Sequence, residues 1–367
     1  MKRHGNLFEN IISFRSLLEA SRRARRGKRF ANPVARFEYN LENELLRLKH
    51  ELETMQYRPG PYFEFTIYEQ KVRKISAASF RDRVVQHALC AVIDPIFDRT
   101  LIFDSYACRK SKGTHRAVAR FTEYARQYSY VLKLDIRKYF PSIDHAFLKA
   151  VIRRKIKCPK TLWLIDLFID TSNPQDVEGF LFPGDTLFTP LERRRGIPIG
   201  NLASQLFANI YLGVIDHIVK ARFPSNGYIR YMDDMAFFGD SKDELWKVCR
   251  EIEAAVYGLR LRLKPNATML YPVERGVDFL GYKVYPDHRR LKYENVVKCR
   301  RRLRRLAALY GRHKMDFASV QNSIQSWLGH AGYADTWGLR RNLFSRLRLK
   351  RDGAKTAIGS SRRFLEQ

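Results

Sequence analysis

Five cysteines, Cys90, Cys108, Cys158, Cys249 and Cys299, are scattered through 367 residues with no CxxC pair. That spacing argues against a zinc ribbon and against a disulfide framework, so reduced, mostly buried thiols are expected. Long apolar runs are equally scarce. LWLIDLF (162–168) is interrupted by Asp166, and nothing approaches the roughly 20 apolar residues a helix needs to cross a bilayer. MKRHGNLFENIISF, at the N-terminus, has no apolar h-region with a cleavage site, so a cytoplasmic protein with no membrane partner is expected. No internal repeat and no long low-complexity linker are visible. Acidic residues are also in deficit: 38 Asp and Glu stand against 68 Lys and Arg, giving a formal charge of +30 and a pI near 10.1. A hydrophobic fraction of 45% excludes a disordered basic tail, and self-repulsion of this size points to a polyanion, with nucleic acid ahead of an anionic membrane.

The positive charge is concentrated. SRRARRGKRF (21–30) is one cluster, and residues 298 to 351 carry 14 Lys or Arg against two acids, Asp316 and Asp335. Any single run of this kind can be a solvated face; two flanking a less biased centre favour a binding surface. Around the start of the second run, Val296, Leu303, Leu306 and Tyr310 recur at heptad-like spacing, which predicts an amphipathic helix whose other sides carry arginines. Gly281, Pro286 and the polar DHRR (287–290) mark a boundary before it.

The less biased centre holds the candidate chemistry. VLKLDIRKYFPSID begins as a β-rich segment ending near Asp135, followed by a helix that Ser142 or Asp144 would cap and whose apolar face is Phe147, Leu148, Val151 and Ile152. A carboxylate at the end of a buried strand is costly without a cation, although a lone aspartate there is also an ordinary turn residue. YIRYMDDMAFFG (228–239) reads as a hairpin with Asp233 and Asp234 at its tip, and Met232 and Asp233 in a two-residue loop that ordinarily takes Gly, Asn or Asp-Gly. Adjacent like charges repel, and a third carboxylate from about 100 residues upstream adds to that repulsion unless divalent cations lie between them. Three carboxylates with two Mg²⁺ ions activate an attacking 3′-hydroxyl and stabilise leaving pyrophosphate in nucleotidyl transfer.

A strand ending in Asp, then YMDD on a hairpin, resembles the palm of a reverse transcriptase. Further segments are similar to that family in its own order over roughly residues 60 to 335: KVRKISAASFRDRVVQHAL (71–89), DSYACRKSKGTHRAV (104–118), GIPIGNLASQLFANIYL (196–212) and LRLKPNATMLYPVERGVDFLGY (261–282). The resemblance implies an α+β right-hand polymerase fold. Its parts would be a basic N-terminal helical extension (1–60), fingers (61–130), a palm with an antiparallel sheet and part of the fingers (131–285), and a basic helical thumb with a C-terminal tail (286–367). It also implies site roles. Asp135, Asp233 and Asp234 would hold two Mg²⁺ ions, with the Ile136 carbonyl as a further ligand. Lys71 and Arg73 would neutralise the incoming dNTP, and Phe140 would pack under its sugar. Ile199, Gly200, Gln205 and Lys264 would complete the nucleotide site, Lys264 as a candidate for protonating pyrophosphate. Arg109 and Lys112, with Arg301, Arg302, Arg304 and Arg305, would contact nucleic acid, and Phe279, Leu280, Gly281 and Tyr282 would form the primer grip. Plain readings compete: core packing for Phe140, Phe279 and Leu280, and a simple chain turn at Gly200 ahead of a helix that Asn201 could cap.

Intron and retron enzymes usually carry Gln-Gly followed by Ser-Pro in the loop that here reads Ile199, Gly200, Asn201, Leu202, Ala203, Ser204, Gln205. The aliphatic form is similar to reverse transcriptases of diversity-generating retroelements. Membership would imply a bacterial or phage-encoded enzyme that copies template RNA into cDNA with errors opposite adenine, for mutagenic retrohoming. Its partners would be template RNA, the RNA/cDNA duplex, dNTPs and an oligomeric accessory variability protein. The end at Gln367, with no Cys/His cluster for an added nuclease, is expected to count against a mobile-intron protein. Alternatives are a retron, intron-type or defence-associated reverse transcriptase, and, in a different class, a non-enzymatic RNA-binding module.

Overall fold

A computed structural model describes residues 2–68, 72–172, 180–225 and 227–352 of the chain. It divides into two compact units, each assembled from three stretches of sequence: 1–113, 132–237 and 243–269 in the first, and 114–131, 238–242 and 270–367 in the second.

The first unit begins with helices, among them Phe14–Ala24 and Leu41–Glu53, whose apolar faces (Leu17, Ala20, Leu45, Leu48, Leu52) are buried. Strands β1 (Phe63–Tyr68) and β2 (Val72–Ala77) pair antiparallel, Ile67 opposite Arg73. Lys71 lies outside the described residues. A four-stranded sheet, not confined to the sequence stretches of this unit, follows the order β4-β5-β3-β6, built from β3 (Tyr130–Asp135), β4 (Gly227–Tyr231), β5 (Asp234–Gly239) and β6 (Met269–Pro272). Val131, Leu132 and Leu134 of β3 are buried, as are Met235 to Phe238 of β5, so these strands are fixed by burial. Asp144, not Ser142, caps the helix His145–Arg153, accepting from the Phe147 amide at 2.9 Å.

The helix Leu202–Arg222 is 21 residues long with a mean hydropathy of 1.3 over its best window, enough by length and composition to cross a membrane. The expectation that no stretch approaches this length is therefore corrected. The window includes Asn209, Tyr211, Gly213 and Asp216, which break it up as a run of letters, yet 72% of it is buried inside the protein, as a core helix requires.

In the second unit, β7 (Val277–Phe279), β8 (Tyr282–Val284) and β9 (Arg289–Leu291) form an antiparallel sheet, so the DHRR boundary is partly strand rather than loop. The helix Thr114–Gln127 adds Phe121, stacked on Phe279 at 4.5 Å between ring centroids. Three helices follow, Tyr293–Gly311, Phe317–Ala331 and Trp337–Ser345, around a core that includes Leu303, Leu306, Tyr310, Val320, Ile324 and Phe344. All four apolar positions predicted for the first of these helices are buried, and Arg301, Arg302, Arg304 and Arg305 are exposed. Four cysteines are buried and Cys108 is exposed, all with free thiols.

Candidate active site

Asp135 is the last residue of β3, and Asp234 is the first of β5, the strand beside it. Side chains two apart along a strand share a face, so Lys133 and Asp135 lie together. Lys133 Nζ stands 3.3 Å from Asp234 Oδ1, which brings the end of β3 to the start of β5. Met232 and Asp233 form the two-residue loop, and Asp234 belongs to the strand rather than to the tip.

The loop is strained as the sequence suggests. Met232 has φ 58, while Asp233 is not among the residues with positive φ. Positive φ at the first loop position alone is the II′ pattern, where Gly is ordinary. A side chain held there costs on the order of 1 to 3 kcal/mol and persists only when its surroundings impose it. Those surroundings centre on Arg230, which is fully buried and ion-paired with the equally buried Asp216. Burial works against its charge, but Asp216 outweighs it and holds the guanidinium proton more tightly than usual. Tyr139 is buried too, donates to the Ala208 carbonyl at 2.5 Å, and keeps its phenol proton well above the ordinary range because of that burial.

The segment after helix Lys242–Gly258 runs along the other side of Asp135. The Lys264 amide donates to the Asp135 carbonyl and the Arg137 amide to the Arg262 carbonyl, both at 2.8 Å, around an Ile136–Leu263 bridge. Carbonyls alternate in direction along extended backbone, so that of Ile136 points away from this segment. The loop ahead of helix Leu202–Arg222 is held to β2: Ser76 donates its amide to the Ile199 carbonyl at 3.0 Å, and Asn201 bonds Ser76 O at 2.9 Å and the Ala78 amide at 3.0 Å. Asn201 stands at the N-cap position but makes no side-chain cap, a correction explained by these two better-buried partners. Gly200 has φ +112, and a Cβ there would lie 2.8 Å from Ile75 Cγ2, so more than a simple turn requires glycine. The Ile197 amide donates to the Phe140 carbonyl at 3.0 Å, placing half-buried Phe140 beside this loop while Tyr139 enters the core. Gln205 accepts from the Cys108 thiol at 3.4 Å.

Other expected site residues have further engagements. Arg109 bonds Asp98 at 2.6 Å and the carbonyls of Asp98, Ile102 and Ser105, bracing its own loop. Lys112 donates to the Phe103 carbonyl at 2.8 Å and sits 3.4 Å above the Phe103 ring. Arg73 is exposed on β2. In the second unit, Phe279 and Tyr282 are buried and flank a turn in which Leu280 (φ 47) and Gly281 (φ 92) are both left-handed. Asn295 Nδ2 clasps this turn through the Gly281 carbonyl at 3.0 Å.

No group of three or more His, Cys, Asp or Glu among the described residues is close enough to enclose a metal ion. Asp135, Asp233 and Asp234 therefore form no closed cage. The donors nevertheless suit Mg²⁺, which takes oxygen ligands and shares its shell with substrate phosphates and water rather than requiring an all-protein cage. Sequence reasoning missed Lys133, Arg230, Asp216 and Asn209; the available signal was a basic residue inside each of two largely apolar strands, Lys133 in VLKLD and Arg230 in GYIRY.

Residues 63–284 match the family model described as reverse transcriptase (RNA-dependent DNA polymerase). The chain belongs to the reverse transcriptase family. It is similar to protein YkfC of Escherichia coli K12, 24% identical over 294 residues that cover 69% of this chain and 74% of that protein. It is also similar to the group II intron-encoded protein LtrA of Lactococcus lactis subsp. cremoris, 25% identical over 48% of this chain and 28% of LtrA. An uncharacterised 91 kDa protein in a cob intron of Schizosaccharomyces pombe is 26% identical over 43% of this chain and 18% of its own length. The intron proteins are thus far longer than the part this reverse transcriptase matches. As a family member the chain is an RNA-directed DNA polymerase, with RNA template and dNTPs as the family's substrates and divalent metal, commonly Mg²⁺, as its usual cofactor.

Proposed function

We propose that this reverse transcriptase makes adenine-mutagenic cDNA for a diversity-generating retroelement, with an oligomeric accessory protein as partner. The observation that supports the subtype is Ile199. It is half buried in the loop tied to β2, where an aliphatic side chain offers packing but no amide hydrogen bond to a nascent base pair. Likeness to LtrA favours a second reading, an intron-type enzyme of ordinary fidelity. Sequencing cDNA made on a template containing all four bases separates them: errors concentrated opposite adenine support the first reading, and an even, low error spectrum supports the second.

In the catalytic step, Asp135, Asp233, Asp234 and the Ile136 carbonyl would hold the metals, and Arg73, with Lys71, would meet the triphosphate. Bound divalent cations supply activation of the 3′-hydroxyl and charge neutralisation on the leaving pyrophosphate. Phe140 and Gly200 would shape the sugar and base side of the site, and Lys264, whose backbone amide is bonded to the Asp135 carbonyl, would protonate pyrophosphate. The double substitution Asp233→Ala with Asp234→Ala abolishes primer extension while leaving RNA affinity within about twofold, since phosphate contacts dominate that affinity. Persistent dNTP incorporation by the double variant refutes the assignment.

A further inference from the structure

Arg230 lies beneath the catalytic loop and is the largest fully buried side chain among the described residues. Its guanidinium has five N–H donors in a rigid fork. Nε and Nη2 donate to Asp216 Oδ1 and Oδ2 at 2.7 and 2.6 Å. Nη1 donates both to Asn209 Oδ1 and to the Met232 carbonyl, each at 3.1 Å. Asp216 and Asn209 are seven residues apart on helix Leu202–Arg222 and therefore on one face of it. Each partner is itself fixed: the Tyr228 hydroxyl donates to Asp216 at 2.8 Å, and Asn209 donates to the Ala107 carbonyl at 2.8 Å. The Arg230 backbone is held by the Asp104 carbonyl and the Tyr106 amide, both at 3.0 Å.

The Met232 carbonyl belongs to the central peptide of the two-residue loop. Tight hairpin turns come in two forms that differ by rotation of that peptide, and the alternative to the present one gives both loop residues positive φ. Such a rotation would swing the carbonyl off Arg230 and turn the backbone of Asp233 into the left-handed region, re-aiming its carboxylate. We propose that Arg230, seated by Asp216 and Asn209, locks this peptide and so orients Asp233 for nucleotidyl transfer. It is a positioning residue: its charge is neutralised by Asp216 and it reaches the chemistry only through the backbone. The inference rests on the assignment of Asp233 to the active site.

Arg230→Lys keeps a cation for Asp216 but replaces the fork with a point charge that cannot reach all four acceptors. In the full chain, kcat for primer extension falls on the order of tenfold or more, as displacement of a reacting group predicts, with dNTP KM within about twofold. Mn²⁺ tolerates less regular ligand placement than Mg²⁺, so the Mn²⁺:Mg²⁺ activity ratio rises about fivefold or more. Hydrogen exchange accelerates in the peptide carrying residues 228–239 and stays unchanged along helix Leu202–Arg222. Asn209→Ala moves kcat, the metal ratio and exchange in residues 228–239 in the same direction by a smaller factor, and it decides the question if Arg230→Lys does not fold. Asp233→Asn is the control: near-normal activity there overturns the underlying site assignment. With that control inactive, folded Arg230 and Asn209 variants of normal kcat overturn the inference. So does a lowered kcat with unchanged metal ratio and unchanged exchange, which marks Arg230 as purely structural.

Discussion

Gly200→Ala tests how the loop ahead of helix Leu202–Arg222 is built. Two costs arise, and both can be read from local geometry. The first is conformational: at φ +112 an L side chain is strained, on the order of 1 to 3 kcal/mol. The second is steric. The new Cβ meets Ile75 Cγ2 at 2.8 Å, and Ile75 cannot simply retreat, because the next residue, Ser76, is bonded to Ile199 and Asn201. Relief of that contact adds about 1 kcal/mol, within the range for overpacking, for a total of about 2 to 4 kcal/mol. Ile75→Ala removes Cγ2 and with it the second cost, so the double variant is more stable than additivity predicts by about 1 kcal/mol. Urea unfolding of the four members of the cycle measures both quantities, and primer extension reports the dNTP KM, which rises as the loop shifts. Wild-type stability for Gly200→Ala refutes the conformational part. Additivity within about 0.3 kcal/mol refutes the steric part.

Neutralising Arg301, Arg302, Arg304 and Arg305 flattens the slope of log K against log salt for RNA binding by up to about 0.9 per lost phosphate contact on duplex; an unchanged slope means the face is merely solvated. Ile199→Gln lowers errors opposite adenine several-fold, consistent with about 0.5 to 1.5 kcal/mol for one hydrogen bond, while cDNA yield falls less; an active variant with an unchanged spectrum refutes it. His87 has its pKa pushed down to about 4, by burial first and then by Arg83 and Arg23. The unfolded chain thus binds the proton more readily than the folded one, and stability present above pH 6.5 is lost as pH falls from there toward 4. His87→Gln flattens this part of a pH titration of thermal midpoints, and an unchanged profile places the titrating group elsewhere.

What the sequence made legible was local. The end of β3 at Asp135, the β4–β5 hairpin and the buried side of helix Tyr293–Gly311 follow from alternation and heptad spacing within a dozen or so residues. The polar partners were less accessible because they join residues distant in sequence. Lys133 and Asp234 are 101 residues apart, and Asn201 meets Ala78 across 123. Arg230 and Asp216 are separated by only 14, yet nothing in GYIRY tells a buried fork from a surface arginine until the helix packs behind it. Asn201 shows the same limit from the other side: residue type and position indicated a cap, and a neighbouring strand took its hydrogen bonds instead.

The order in which β3 and its neighbours leave the ribosome matters for a protein threaded this way. Strand β3 is complete at Asp135, but the strands on its two sides begin only at Asp234 and Met269. At about 5 to 20 residues per second, β3 waits roughly 5 to 20 seconds for the first of them and a few seconds more for the second. An apolar strand with both edges open is a template for aggregation throughout that interval. The charges of Lys133 and Asp135 interrupt VLKLD at alternate positions, where natural sequences place gatekeepers. The same two residues that later face each other's neighbours in the site would thus keep the nascent strand soluble, so replacing either by an apolar residue should reduce soluble yield even in a protein made inactive by other means.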